Sequence, residues 1–123
     1  MRVGASSLVF AALALAGCGG DEAADPRAVV SSCTACHSFD AGGARRTGPN
    51  LHGLLGQPAG QRPSFASSAA MKKSGIVWTA NTLDAFIADP NAVVPGNRMG
   101  FRGEPDAAKR RAIIAYMTRE GAR

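Results

Sequence analysis

The residues best equipped for chemistry lie in one run, Cys33-Thr34-Ala35-Cys36-His37. Two thiols separated by two residues and followed at once by an imidazole have three uses. They can cycle as a redox dithiol, hold part of a zinc site, or attach a haem. The spacing favours the last. On a helical turn the two thiols reach the two vinyl groups on one side of a porphyrin and form thioethers, and the next residue projects its imidazole at the iron from the same face. A redox dithiol needs no histidine directly after its second cysteine. Zinc would need two further ligands, and beyond this run the chain offers only His52 as histidine. The pattern therefore predicts one covalently attached haem c, bound through Cys33 and Cys36, with His37 on the iron.

A haem iron has a second axial position, for which the chain offers four methionines and His52. Met1 belongs to an apolar leader. Met71 and Met117 fall in helix-like runs, where methionine ordinarily fills core space. Met99 ends the stretch Pro95-Gly96-Asn97-Arg98-Met99, a rigid irregular segment between helical patterns in which proline and glycine set an extended path. Such a segment can carry a thioether across a haem face. Met99 is the leading candidate on this chemistry, and His52 is its rival.

From Cys33 onward the chain resembles the class I cytochromes c, close to the mitochondrial and bacterial c2 type. The resemblance rests on Cys33-Thr34-Ala35-Cys36-His37, on Thr47-Gly48-Pro49-Asn50-Leu51-His52-Gly53-Leu54 and on Gly75-Ile76-Val77-Trp78. It continues through Asp89-Pro90, through Pro95 to Met99 followed by Phe101, and through Ile114-Ala115-Tyr116-Met117, in order and with little or no gap. It implies an all-α cytochrome c fold, with short helices and irregular loops wrapped around one covalently attached haem. It also implies iron ligation by His37 and Met99, a Pro49 carbonyl that holds the other ring nitrogen of His37, and Trp78 donating its indole N–H to a haem propionate. His52 becomes a structural residue of its loop, and His/Met ligation of a buried haem gives a high potential. Three departures bear on that potential and on the propionates. Phe86 replaces a tyrosine, Met71 an asparagine, and Gln57 with Ser67 an arginine and a tyrosine.

These groups must be positioned by few elements. Asp25-Pro26 reads as an N-cap followed by proline at the first helical position, opening a helix that runs through Val29-Val30 into the cysteine motif. Phe39 to Ala70 is rich in Gly, Pro and Ser without a sustained period, and predicts an irregular loop with a short helix near Ser67 to Lys73. Thr82 to Ala88 reads as a helix with Leu83, Phe86 and Ile87 on one face, stopped by Pro90. The last helix is expected over Asp106 to Arg119, with Ile113, Ile114, Tyr116 and Met117 inside. No strand pattern or repeat appears. With only five Phe, one Trp and one Tyr, the chain has little bulk of its own for a core, and an internal cofactor would supply it.

Before the domain, Val3 to Ala16 is an apolar run too short to span a bilayer comfortably and reads as a signal peptide. Leu15-Ala16-Gly17-Cys18 resembles the lipobox of bacterial lipoproteins. It divides the chain into residues 1–17 as signal peptide, 18–25 as a lipid-anchored linker and 26–123 as the haem domain. The domain is then expected on the periplasmic side of a bacterial membrane, and residues 19–25, which reach at most roughly 25 Å at ~3.3–3.6 Å per residue, confine it to membrane-bound partners close by. The formal charge of +5 suits acidic partners, and export excludes nucleic acid. Arg46, Lys72, Lys73, Arg98 and Arg102 are candidates for a basic rim around the haem edge. The reading is a monomeric electron carrier and not an enzyme, since both axial positions would be filled. Its partners would be a quinol:cytochrome c reductase, a terminal oxidase or a photosynthetic reaction centre, with a dedicated subunit of a membrane oxidoreductase complex as the alternative.

Overall fold

The computed structural model describes residues 24–121. The expected signal peptide, Cys18 and most of the linker lie outside the described residues. At the start of the domain the Asp25 carboxylate accepts from the Arg27 amide at 2.9 Å, and Pro26 takes the first position, where its missing N–H is not needed. The turn Pro26–Val30 is a 3-10 helix, and only Ser31–Thr34 (α1) is α-helical. The sequence pattern implied one continuous helix here. A tighter first turn is a common solution where orphan N–H groups must be satisfied within a few residues. It leaves Val30 fully buried. Arg27 pairs with Asp40, fastening this start to the loop beyond His37.

Residues 35–68 form no regular element. One isolated antiparallel bridge, Pro58 with Val77, closes part of this region, supported by amide bonds from Trp78 to the Gln57 carbonyl (3.0 Å) and from Gly56 to the Trp78 carbonyl (2.7 Å). Ser68 caps a short helix, Ala69–Lys73 (α2), by accepting from the Met71 amide. The helix read from Leu83, Phe86 and Ile87 starts two residues earlier than its apolar pattern suggests, at Ala80–Ala88 (α3). The cause is a capping box in which the Thr79 and Thr82 side chains each accept from the other's backbone amide. Pro90 does end that helix, and it also starts another: with Asp89 as cap it occupies the first turn of Pro90–Val93 (α4). The last helix is Ala107–Glu120 (α5), capped by Asp106 through the amides of Ala108 and Lys109.

The helix α5 packs against both the Pro26–Val30 turn and α3, and α3 also packs against α4. Ile113, Ile114, Tyr116 and Met117 of α5 are all buried. Tyr116 meets Phe39 edge-on at 5.6 Å, and Trp78 meets Phe86 edge-on at 5.0 Å. Arg110 ties α5 to α3 through the Asp84 carboxylate at 2.9 Å and also donates to the Glu104 and Pro105 carbonyls. No strand occurs among the described residues, so the fold is all-α. Around the buried core lies a second set of half-buried side chains, including Cys33, Leu51, Met71, Met99 and Phe101. No described helix is long and apolar enough to cross a membrane.

Candidate haem site

Near the end of α1, the Cys33 carbonyl accepts from the amides of both Cys36 and His37, at 3.1 and 2.9 Å. That turn sets the two thiols and the imidazole in one compact unit. Neither thiol is in a disulfide. Cys33 is half-buried, and burial pushes its thiol above the usual pKa, the contact with the Ser32 hydroxyl acting against it. Cys36 is exposed.

The imidazole of His37 lies 2.8 Å through Nδ1 from the carbonyl of Pro49. A carbonyl only accepts, so Nδ1 must carry the proton. Burial pushes His37 below its ordinary pKa, while the Pro49 contact opposes the shift. The neutral ring then keeps its lone pair on Nε2, the form required of a metal ligand. Gly48 lies flat against this ring: a Cβ there would fall 2.4 Å from Cε1.

The loop carrying Pro49 is fixed from both sides. Its Gly48 amide donates to the Cys36 carbonyl and its Leu51 amide to the Ser38 carbonyl, both at 2.8 Å. Asn50 donates through Nδ2 to the Asp40 and Gly43 carbonyls, while its Oδ1 accepts from the His52 amide at 2.6 Å. His52 also joins this region, with Nδ1 3.2 Å from the Phe39 carbonyl. From a separate segment, Arg62 donates to the Asn50 carbonyl (3.1 Å) and the His52 carbonyl (2.6 Å).

Met99 is half-buried against the same apolar cluster as Cys33. Its amide donates to Oδ1 of Asn97 at 2.9 Å, and Asn97 Nδ2 donates back to the carbonyls of Pro90 and Val94. Arg98, read as part of a basic rim, reaches the Ala66 carbonyl at 2.8 Å, and Arg46 reaches that of Thr34 at 2.8 Å. Both remain exposed, as do Lys72, Lys73 and Arg102. Trp78 is buried with Phe86 across its edge.

Sequence reading passed over Gly48, Asn50, Arg62 and Asn97. Gly48 and Asn50 stood inside the recognised Thr47 to Leu54 stretch and Asn97 beside Met99. Arg62 carried no local signal, because its partners lie ten and twelve residues away.

The chemistry of this donor set fits a covalently attached haem: two thiols outside any disulfide on one turn, an imidazole with its tautomer fixed, and a thioether that borders the same apolar cluster as Cys33. No protein-family model matches the chain. It is 46% identical over 91 residues to a cytochrome c homolog of Bradyrhizobium diazoefficiens, covering 73% of this chain and spanning half the length of that relative. It is 38% identical over 117 residues to a cytochrome c2 of Blastochloris viridis, covering 95% of this chain and 92% of that one. The chain belongs to the cytochrome c family. The solved structure of cytochrome cH from Methylobacterium extorquens agrees, with a TM-score of 0.71 and 38% identity over 76% of this chain and 94% of that one. This cytochrome c is a mono-haem electron carrier with one covalently bound haem c.

Proposed function

We propose that this cytochrome c is a lipid-tethered electron shuttle in which Cys33 and Cys36 form the thioethers, and His37 and Met99 hold the iron. When bound, the haem supplies reversible one-electron exchange. The chain keeps that exchange fast and selective by holding its own groups still. His37 is held in one tautomer by Pro49, Met99 is carried by a segment held through Asn97, and Trp78 would donate its indole N–H to a haem propionate. The observation that carries the reading is the Nδ1–H to Pro49 bond at 2.8 Å, since it leaves Nε2 as the only lone pair of the ring. Apolar burial of the pair favours the reduced iron and a high potential.

Residues 1–17 are read as a signal peptide and 18–25 as a linker anchored by acyl chains on Cys18, with residues 26–123 as the monomeric haem domain. Two or more acyl chains give stable anchoring. The domain then works on the periplasmic side of a bacterial membrane beside a quinol:cytochrome c reductase, a terminal oxidase or a photosynthetic reaction centre. The basic groups Arg46, Lys72, Lys73, Arg98 and Arg102 suit their acidic docking surfaces.

Expression of the full chain in a bacterium that matures c-type haem tests the tether. The haem protein is expected in the membrane fraction, extractable by detergent but not by salt, and Cys18→Ser is expected to release it as a soluble protein. A wild-type haem protein already soluble would contradict the anchor while leaving the carrier intact.

A further inference from the structure

We propose that Arg62 is a positioning residue for the iron: it clamps the loop that supplies the Pro49 carbonyl and so holds the hydrogen bond of His37 closed. The inference rests on His37 being the axial ligand. Arg62 is remote in sequence from the cysteine motif, yet its guanidinium uses two separate nitrogens, Nε and Nη2, on the carbonyls of Asn50 and His52. Those carbonyls bracket Leu51, and Asn50 directly follows Pro49. A planar fork of this kind fixes two carbonyls relative to each other, which a single-point donor does not.

The surroundings of Arg62 support such a role. The guanidinium is half-buried, burial lowers its pKa, and no carboxylate among the described residues offsets the charge. A cation withdrawn from water without a counter-charge is costly, and carbonyl dipoles are what it receives in return. The loop is also held by its Gly48 amide to Cys36 of the cysteine motif and by its Leu51 amide to Ser38, the residue after His37. The loop is therefore gripped between the segment bearing His37 and the segment bearing Arg62. Releasing the second grip frees the Asn50 and His52 carbonyls and gives Pro49 room to move from Nδ1.

The test uses the haem-loaded protein in its reduced, diamagnetic state and follows solvent exchange of the His37 Nδ1 proton by NMR. In Arg62→Ala that proton is expected to exchange about tenfold faster or more, the behaviour of a contact gated by local opening, with the His37/Met99 spectrum retained. Arg62→Lys, which keeps the charge but not the fork, is expected to fall between; it carries the test if the alanine variant does not fold. Arg110→Ala serves as a control. It loosens the α3–α5 contact without touching this loop, and the Nδ1 proton should not respond beyond the general change in amide exchange. Unchanged exchange in both Arg62 variants, or an equal response in Arg110→Ala, would overturn the positioning role. A wild-type spectrum lacking an imidazole ligand would instead overturn the reading of His37 on which it rests.

Discussion

Gly48 has no side chain because the ring of His37 occupies the space where one would be. A methyl group there would meet Cε1 at 2.4 Å and Nδ1 at 2.7 Å, far inside contact distance, so Gly48→Ala must displace either the ring or the loop. Forcing extra volume into a packed site typically costs about 1–3 kcal/mol. Gly48→Ala is thus expected to lower the thermal midpoint, while Gly100→Ala, with nothing within 4 Å of its Cβ, should leave it nearly unchanged. Equal effects would contradict the packing of Gly48 on the ring. At this scale the chemistry-bearing residues were legible as candidates, because the cysteine motif is local and its spacing suits a porphyrin. Their supports were not. Arg62 and Asn97 act through backbone carbonyls that only the folded chain brings near, and a lone arginine or asparagine carries no mark of that.

The elements were readable where a helix is long enough to show a face. Ile113, Ile114, Tyr116 and Met117 announce α5, and Leu83, Phe86 and Ile87 announce α3. Pieces of four or five residues have too few positions to display a period, so the 3-10 start Pro26–Val30 and the helix Pro90–Val93 could be inferred only from their Asp-Pro caps. The reading used one of those caps as a start and the other only as a stop. Caps also lead to two predictions. Thr79→Ala removes one half of the capping box and is expected to cost ~1 kcal/mol in denaturant unfolding, with Thr82→Ala similar and the double variant well short of the sum, since both act on one motif. Additive losses would contradict the reciprocal bonds. Asp106 is held below the ordinary carboxylate pKa chiefly by the Ala108 and Lys109 amides. Its folded pKa is thus lower than its unfolded one, so the stabilisation is present at neutral pH and is lost as pH falls through the folded value. The difference in thermal midpoint between the wild type and Asp106→Ala should accordingly be largest near pH 7 and shrink below the usual carboxylate range. A difference that stays constant with pH would assign the cap's effect to something other than its charge.

At the scale of the whole molecule, thirteen of the described hydrophobic residues are buried, and the half-buried set of Cys33, Leu51, Met71, Met99 and Phe101 borders them. A domain this small buries only a modest share of its surface, and a large apolar group against those side chains adds the burial that the few aromatics do not. The double variant Cys33→Ser with Cys36→Ser, which cannot hold the haem covalently, is expected to lose near-ultraviolet circular dichroism and much of its helix. A stably folded haem-free chain would show that the core suffices alone. The all-α architecture followed from the absence of any strand pattern, and the isolated bridge between Pro58 and Val77 was hidden because it joins one residue to one residue. The central claim, that His37 and Met99 together hold the iron of this carrier, is tested most directly by absorption spectra of the oxidised and reduced haem protein beside those of Met99→Ala. A sharp reduced α-band with a weak sulfur–iron charge-transfer band at the red end in the oxidised wild type, absent from the variant, is the predicted result. A wild type lacking that band, or a variant retaining it, would contradict ligation by Met99.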